Sequence, residues 1–401
     1  MFEAYFACRK NKRNTINALA FELDYESKLV ELYYEISSGA YQVGKSITFV
    51  VDQPIKREIF AADFRDRVIH HLIINKLNPL FEREFIYDSY SCRIGKGTSL
   101  GVKRIDSFIR KCSKNYSEDC YVLKVDIAGF FMSVNKDILF NKLKDFVNRK
   151  YLCGDKLLVL NLCKKIIYND PTKSCVLKGN VCDWDVLPAN KSLFYSPHNC
   201  GLPIGNLTSQ IFANFYLNDL DHFVKHTLAM PFYGRYVDDC VLVHRSKKYL
   251  RSVVPKISNF LKSELKLELH PRKTYLQHYA KGVKFLGVVI KPNRMYIANR
   301  TKGNFYAAIA KQNNIAKNHV PTKEEKDTFL CSMNSYLGIM RQYKSYNLRG
   351  RMVIKHLSHW WRRHVYLDKD AAKFIIKCGK LNQKAQKFWQ DLADSIAKFK
   401  P

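Results

Sequence analysis

Two adjacent carboxylates inside an otherwise apolar segment constrain this chain more than any other feature. Asp238 and Asp239 follow Tyr236-Val237, and the residues on both sides are mostly aromatic or β-branched, which is typical of strands. The segment predicts a β-hairpin with both aspartates at its tip, and Gly234 is expected to permit the tight turn. Burying two neighbouring anions is costly unless a cation neutralises them. From the pair alone, an acidic surface turn and a metal site remain equal alternatives.

A second acidic strand end favours the metal site. The run Tyr121–Ile127 is strongly apolar, carries a lone aspartate, Asp126, near its end, and is followed by Gly129-Phe130-Phe131. Two Mg²⁺ ions ~3.5–4 Å apart stabilise both the attacking and the leaving oxygen of a displacement at phosphorus. Mg²⁺ prefers oxygen ligands and keeps several waters, so few protein carboxylates suffice. The set Asp126, Asp238 and Asp239 therefore fits nucleotidyl transfer better than general acid–base hydrolysis.

These motifs, taken in order along the chain, resemble those of reverse transcriptases. The resemblance runs from about Ile55 to Pro292 and rests on "VLKVDIAGFF", "GLPIGNLTSQIFANFYLNDLD", "YVDD" and a late "FLG". Most reverse transcriptases carry a Gln-Gly pair and a Ser-Pro pair in the second of these segments. This chain has Ile204-Gly205 and Ser209-Gln210 instead. The segment "IGNLTSQ" resembles the variant found in reverse transcriptases of diversity-generating retroelements.

The resemblance implies an RNA-directed DNA polymerase of α+β class with a right-hand arrangement. The expected parts are an N-terminal helix and fingers over 1–120, a palm over 121–292 with an insert at about 160–200, and a basic helical thumb over 293–401. The palm is an antiparallel sheet covered by helices. Two Mg²⁺ ions, for which Mn²⁺ is a possible substitute, are expected on Asp126, Asp238 and Asp239 together with the carbonyl of Ile127.

The same resemblance implies partners. We expect dNTPs, a primer–cDNA duplex, a template-repeat RNA copied with errors concentrated at adenines, and a small basic accessory variability protein. A retron or abortive-infection reverse transcriptase is the alternative within the family, and "IGNLTSQ" is unfavourable to both. An RNA-recognition module shares the strand and helix order, but it needs aromatic stacking residues on its central strands rather than carboxylates.

Further site residues are assigned by this resemblance. Phe131 stands five residues after Asp126, where the family keeps a bulky gate against the ribose 2′-hydroxyl. Lys273 is expected to contact phosphate, with a role as proton donor to pyrophosphate as the alternative. The remaining nucleotide-binding candidates are Arg65, Arg67, Ile204, Gly205 and Gln210. The template and primer candidates are Arg93, Lys96, Gly97, Phe285, Leu286, Gly287, Arg362 and Arg363.

Charge and chain composition point to a polyanionic partner. The formal net charge is +31, and the sequence contains neither an apolar run of 18 residues nor a signal-peptide pattern, so nucleic acid is favoured over membrane lipid. From residue 301 onward, 20 Lys and Arg stand against 7 Asp and Glu. The twelve cysteines are scattered without a C-x-x-C pair. We therefore expect reduced thiols in a cytoplasmic protein of bacterial, archaeal or phage origin, with neither zinc nor disulfides.

Helical periodicity predicts several elements outside the motifs. A helical face containing Phe21, Leu29, Leu32, Tyr33 and Ile36 ends near Gly39. Further helices are expected over 60–80, 136–150, 156–168, 210–226 and 247–267, with helical spacing again through 329–340 and 360–365. A glycine-rich basic loop precedes a helix within 89–111, and it is either a clamp on the template backbone or a plain flexible loop.

Overall fold

A computed structural model describes residues 1–10, 15–52 and 55–377. The chain divides into two compact units, Met1–Gln277 and His278–Pro401. Each unit has its own hydrophobic core, made of inward-facing residues of its helices and strands. The predicted α+β class, with antiparallel sheet and covering helices, is confirmed.

The first unit contains eleven labelled helices and seven labelled strands within its described residues. In chain order they are α1 (Phe2–Arg9), α2 (Ile16–Glu22), α3 (Tyr25–Ser37), β1 (Ile47–Val51), β2 (Arg57–Ala61), α4 (Phe64–Glu84), α5 (Thr98–Cys112), β3 (Tyr121–Val125), α6 (Phe130–Ser133), α7 (Lys136–Lys150), α8 (Lys156–Tyr168), β4 (Val176–Leu177), α9 (Leu207–Tyr216), α10 (Asn218–His222), β5 (Tyr233–Tyr236), β6 (Asp239–His244), α11 (Lys247–Glu264) and β7 (Tyr275–His278), whose last residue crosses the division.

The main sheet has the strand order β5-β6-β3-β7. Strand β6 lies antiparallel to both β5 and β3, and its residues Cys240–Val243 are completely or almost completely buried. A second, three-stranded sheet has the order β2-β1-β4. Helices α7 and α8 have the predicted bounds, because their apolar positions keep a strict helical period and Asn135 caps the first of them through its side chain.

Three expectations about helices need correction. The helix predicted over 60–80 begins only at Phe64, because 57–61 pair with β1 and Asp63 caps the helix by accepting a hydrogen bond from the Arg65 N–H. The helix predicted over 210–226 begins earlier, at Leu207, and is divided at Leu217 into α9 and α10, followed by a π-helical turn. Tyr33 is exposed, whereas Leu29, Leu32 and Ile36 form the buried face of α3 and Phe21 lies on the separate helix α2.

The second unit combines a three-stranded sheet, a two-stranded sheet and a helical part. Its elements are β8 (Val283–Phe285), β9 (Val288–Lys291), β10 (Arg294–Ile297), α12 (Asn299–Asn318), α13 (Lys323–Met340), α14 (Tyr346–His356), α15 (His359–His364), β11 (Val365–Leu367) and β12 (Phe374–Ile376). A tight turn at Leu286-Gly287 joins the antiparallel strands β8 and β9, and both residues have positive φ. The core of the second unit is centred on fully buried Trp361, whose ring stacks on that of Phe329 at a centroid distance of 4.0 Å. Trp361 Nε1 donates to the Gln312 carbonyl at 2.9 Å.

Candidate active site

The three candidate carboxylates come from neighbouring strands of the main sheet. Asp126 directly follows β3, and Val125 pairs with Cys240 on β6. Because the register is antiparallel, continuing it by one residue sets Asp126 opposite Asp239, the first residue of β6. Asp238 lies in the two-residue turn between β5 and β6, since Tyr236 pairs with Asp239 across that turn. The fold therefore brings all three carboxylates to one end of the sheet.

The turn differs from the predicted one in the residue that makes it possible. Gly234 is not in the turn but inside β5, opposite Val241. A Cβ atom at Gly234 would lie 2.9 Å from Cε2 and Cζ of Tyr90, so the glycine makes room for that buried ring. The turn itself depends on Val237, whose φ of +55° is unusual for a β-branched residue.

Burial and mutual repulsion disfavour the simultaneous ionisation of the clustered carboxylates. Burial and, next in size, the nearby Asp126 carboxylate raise the pKa of Asp238 to about 7. Asp126 is itself only 7% exposed. Two lysines lie against the cluster: the ammonium of Lys273 contacts Asp126, and Lys124 Nζ lies 3.3 Å from Asp239 Oδ1. Lys124 was not predicted as part of the site, although its position two residues before Asp126 on the same strand is a usable signal.

The donor set fits Mg²⁺ in chemistry. Among the described residues, no group of three or more His, Cys, Asp or Glu side chains is arranged closely enough to hold an ion as it stands. However, the carboxylates supply the hard oxygen ligands that Mg²⁺ prefers, and a divalent cation would relieve the repulsion that raises the pKa of Asp238. Replacing the two lysine ammoniums by metal ions would keep the carboxylates neutralised.

The backbone of Ile127 is oriented by the segment before Lys273. Ala128 N donates to Glu268 O at 2.9 Å, and His270 N donates to Asp126 O at 2.7 Å. These two bonds flank the bridge between Ile127 and Leu269. In such an antiparallel pair, the N–H and C=O groups of Ile127 point away from Leu269, toward the side of the β5–β6 turn. Its carbonyl is therefore available to a ligand on that side.

Phe131 and Ile204 meet at one small apolar cluster. Both side chains are partly buried and pack against buried Phe60, Met132 and Leu193. The backbone secures this contact, because Phe60 N donates to Ile204 O at 2.8 Å and Leu202 N donates to Phe131 O at 2.8 Å. The predicted gate residue Phe131 and the nucleotide-binding candidate Ile204 therefore line the same small region.

Glycine is required at position 205 by a close approach to β2. Gly205 has φ +125°, and a Cβ there would lie 2.9 Å from Ile59 Cγ2 and 3.0 Å from the Phe60 carbonyl oxygen. Next to it, the Asn206 side chain accepts a hydrogen bond from Ala62 N at 3.1 Å. The glycine and asparagine of "IGNLTSQ" thus dock this segment onto β2.

The insert between α8 and α9 is anchored to the same strand by a residue the sequence did not reveal. Glu58 on β2 is 1% exposed and accepts hydrogen bonds from Trp184 Nε1 (2.7 Å), Ser192 Oγ (2.9 Å) and Leu193 N (2.6 Å). Since Leu193 belongs to the cluster beside Phe131, Glu58 fixes the wall of this region. A glutamate in a strand does not by itself indicate this anchoring role, because its hydrogen-bond partners are distant in the sequence.

The predicted arginines of the first unit are largely engaged inside the protein. The guanidinium of Arg65 pairs with Glu35, and Arg67 Nε donates to the Ala62 carbonyl at 2.8 Å. The Arg93 side chain is only 4% exposed and pairs with Glu82, with further bonds to the carbonyls of Ile86 and Ser89. In this structure Arg93 holds the 89–97 loop together instead of presenting its charge to solvent.

Other predicted contacts vary in accessibility. Lys96 Nζ lies 3.3 Å from the centroid of the exposed Tyr87 ring, and Gly97 adopts φ +117° at the start of α5. Gln210 is exposed, and its Oε1 lies 3.2 Å from Cys92 Sγ. In the second unit, Phe285 is buried, Leu286 is half-buried and Gly287 is exposed. Arg363 is exposed there, whereas Arg362 is half-buried.

A buried network behind the Asp238 turn was also missed. Arg235 and Asp221 form a fully buried ion pair, and Arg235 Nη1 donates to the Val237 carbonyl at 2.9 Å. The available signal was the position of Arg235 inside an apolar strand, directly before Tyr236-Val237-Asp238-Asp239. A charged side chain there requires a buried partner.

In the described part of the chain, no helix is both long and apolar enough to span a bilayer. The cysteines of the described ranges are free thiols.

Comparison with known protein families gives one match over more than half of the chain. The model described as "Reverse transcriptase (RNA-dependent DNA polymerase)" matches residues 56–290. The chain is 21% identical over 266 residues to the Putative COX1/OXI3 intron 2 protein of Saccharomyces cerevisiae, and 20% identical over 290 residues to Protein YkfC of Escherichia coli. These alignments cover 59% and 63% of this chain, but 30% and 68% of the relatives, so the chain spans less than a third of the yeast protein.

Among solved structures, similar chains include two telomerases. The telomerase of Candida albicans, in complex with a fragment of telomeric RNA, has a TM-score of 0.44 and 12% identity over 83% of this chain and 68% of its own. The apo telomerase of Candida tropicalis has a TM-score of 0.45 and 12% identity over 89% of this chain and 56% of its own.

Proposed function

The chain belongs to the reverse transcriptase (RNA-dependent DNA polymerase) family, and from this premise we propose that it copies an RNA template into DNA. The observation that carries the proposal is the convergence of Asp126, Asp238 and Asp239 at one end of the main sheet. Nucleotidyl transfer needs carboxylates that can share divalent cations beside a primer end and a triphosphate. A general acid–base pair would need neither three carboxylates nor the surrounding positive charge.

In this proposal, Asp126, Asp238 and Asp239, with the carbonyl of Ile127, would hold two Mg²⁺ ions, or Mn²⁺ as a substitute. When bound, such ions activate the primer 3′-hydroxyl and stabilise the leaving pyrophosphate. Lys273 would then leave Asp126 and contact a phosphate of the incoming dNTP. Phe131 would exclude the 2′-hydroxyl of a ribonucleotide, and Ile204 with Gly205 would lie beside the nascent base pair.

The remaining surface is proposed to hold nucleic acid. A net charge of +31 favours a polyanion, and contacts with phosphates give affinity without reading sequence. We assign residues 1–120 to an N-terminal helix and the fingers, 121–292 to the palm with its insert at about 160–200, and 293–401 to the thumb. The exposed cations of the last region would then hold the template–primer duplex.

The finer proposal is that this enzyme serves a diversity-generating retroelement. It is supported by Ile204-Gly205 and Ser209-Gln210, which stand where most relatives carry Gln-Gly and Ser-Pro. The template would be a template-repeat RNA, the cDNA would carry errors concentrated at adenines, and a small basic accessory variability protein would be a partner. Its test is the adenine error spectrum of the cDNA.

The test of the polymerase activity itself is primer extension on an RNA template by wild type and Asp238→Asn. We expect a loss of orders of magnitude in rate with RNA binding nearly unchanged, because a metal ligand is removed but the basic surface is kept. Asp185→Asn, at an exposed position of the insert, is the control for removing one carboxylate. Near wild-type extension by Asp238→Asn would overturn the metal assignment, and a wild-type protein that binds RNA without making DNA would instead indicate an RNA-binding role.

A further inference from the structure

The turn that carries Asp238 depends on a strained residue. Val237 has φ +55°, a left-handed conformation that a β-branched residue rarely adopts. Such conformations persist only where the surroundings hold them, and they are concentrated at functional sites. Since Val237 directly precedes Asp238, its backbone conformation determines the direction in which the Asp238 carboxylate points.

Side chains from outside the turn hold both backbone polar groups of Val237. Its N–H donates to Ser91 Oγ at 3.2 Å, and its carbonyl accepts from Arg235 Nη1 at 2.9 Å. Ser91 is itself fixed, because its Oγ lies 3.0 Å from Asn214 Oδ1 and its carbonyl accepts from Asn214 Nδ2 at 2.7 Å. The turn is therefore held from the 89–91 segment and from α9 as well as from β5.

The Arg235 side chain is fixed by an ion pair with a residue outside its own strand. Its Nε and Nη2 donate to the two oxygens of Asp221 on α10, at 2.7 and 2.6 Å, and both side chains are completely buried. The planar guanidinium is rigid, so pairing two of its nitrogens with Asp221 aims the third, Nη1, at the Val237 carbonyl. A pair of apolar residues would fill the same space without the desolvation cost of two charges. What they would lack is the directed bond to Val237.

We propose that the Arg235–Asp221 pair is a positioning device that holds Val237 in its left-handed conformation and so aims Asp238 at Asp126. This inference rests on the proposed function, in which the two aspartates share metal ions. Arg235 acts through Val237 and touches neither substrate nor metal. Neither residue belongs to the site deduced from the sequence.

The experiment compares wild type with Arg235→Lys, which keeps a positive charge opposite Asp221 but loses the fork that reaches Asp221 and Val237 together. Outer partners of metal ligands contribute roughly 10–100-fold to metal affinity or activity. We expect Mn²⁺ binding to the nucleic-acid-free protein, measured by electron paramagnetic resonance, to weaken by about that factor. In assays run well below the temperature of thermal unfolding, the kcat of primer extension should fall with little change in the KM for dNTP.

A second variant separates positioning from stability. Arg235→Met combined with Asp221→Leu removes both buried charges, so it avoids leaving one of them unpaired. It should show the same weakened Mn²⁺ binding even where its unfolding temperature is close to that of wild type. Asp219→Asn is the matched control on α10, because it removes the carboxylate that pairs with Lys142, two residues before Asp221. It should leave both Mn²⁺ binding and kcat unchanged.

A second substitution in the turn, which should rescue the Arg235→Lys variant, gives the most specific test. Asparagine adopts positive φ far more readily than valine. Adding Val237→Asn to Arg235→Lys should therefore restore part of the Mn²⁺ affinity and kcat, which a general loss of stability would not predict. Wild-type Mn²⁺ affinity and kcat in both Arg235 variants, or losses that Val237→Asn does not reduce, would overturn the inference. The proposed function fails separately, if Asp238→Asn binds Mn²⁺ and extends primers like wild type.

Discussion

The ammonium of Lys273 lies against the carboxylate of Asp126, where we propose that a metal ion binds. The lysine side chain is 56% exposed, whereas the aspartate side chain is 10% exposed, so the cation can leave while the anion stays. Lys273 N also donates to the His270 carbonyl, and His270 N donates to the Asp126 carbonyl. These two backbone hydrogen bonds keep Lys273 close to the end of β3, whose carboxylate it neutralises. Lysine and metal are thus competing partners of one carboxylate.

Removal of this competitor should strengthen metal binding. Exposed ion pairs contribute about 0.2–1 kcal/mol, so Lys273→Met is expected to increase the Mn²⁺ affinity of the nucleic-acid-free protein by no more than about fivefold. The KM for dNTP should rise, because the proposed phosphate contact is lost. Titration calorimetry and primer extension measure the two effects. Arg272→Met, which removes the neighbouring exposed cation, is the control, and equal Mn²⁺ affinities in all three proteins would contradict the competition.

Phe131 is expected to control the choice of sugar. Its ring packs against the cluster around Phe60, Met132 and Leu193, on the short helix α6 that follows Asp126. Phe131→Ala should open space for a 2′-hydroxyl and raise the relative use of ribonucleotides about tenfold or more, the scale of discrimination by shape alone. Primer extension with ribonucleotides and deoxyribonucleotides provides the measurement. Phe131→Leu keeps much of the bulk and should stay near wild type; unchanged discrimination in Phe131→Ala would make Phe131 a packing residue.

The parts of the fold that could be predicted are those that depend on local pattern. Helices α7 and α8 were predicted with their observed bounds, since their apolar positions, caps and a following Asp170-Pro171 lie within the segment itself. The hairpin around Asp238 was predicted for the same reason. Its turn residue was not, because the left-handed conformation of Val237 is imposed by Arg235 and Ser91 rather than by its own preference.

The parts that could not be predicted depend on partners far along the chain. The helix predicted from residue 60 includes the last two residues of strand β2, because the bonds from β2 to 192–206 are long-range. The ion pair between Arg93 and Glu82 on α4 was not predicted either, and contact of Arg93 with the template stays a prediction. Charge alone does not distinguish a cation that faces solvent from one that is satisfied internally.

The exposed cation Arg363 should contribute to nucleic-acid affinity through charge alone. If it contacts a phosphate, Arg363→Ala should lower the slope of log affinity against log salt by about 0.9, the value for a B-form duplex. Binding of a primer–template duplex at several salt concentrations gives this slope. Arg362 is half-buried, and its carbonyl accepts a bond from Lys377 at 2.8 Å, so Arg362→Ala serves as the structural comparison. An unchanged slope in Arg363→Ala would remove Arg363 from the contact set.

The last prediction concerns Ile204, which stands where most relatives carry a glutamine. Its carbonyl accepts from Phe60 N, while its side chain lies beside the apolar cluster that Phe131 also contacts. Isoleucine offers shape without a donor or an acceptor, so a misaligned pair leaves no polar group unsatisfied there. Ile204→Gln should therefore lower misincorporation opposite template adenine more than opposite the other bases. The preference for adenine comes from the family resemblance and not from this geometry.

Sequencing cDNA made on one RNA template by wild type, Ile204→Gln and Ile204→Val tests this prediction. The valine variant keeps an apolar side chain and should retain the wild-type error spectrum, so it reports the effect of altered packing alone. Because Ile204 adjoins the Phe131 cluster, ribonucleotide discrimination should be measured in the same variants. A glutamine variant with an unchanged adenine spectrum but altered sugar discrimination would show that Ile204 supports the wall behind Phe131 and does not monitor the base pair.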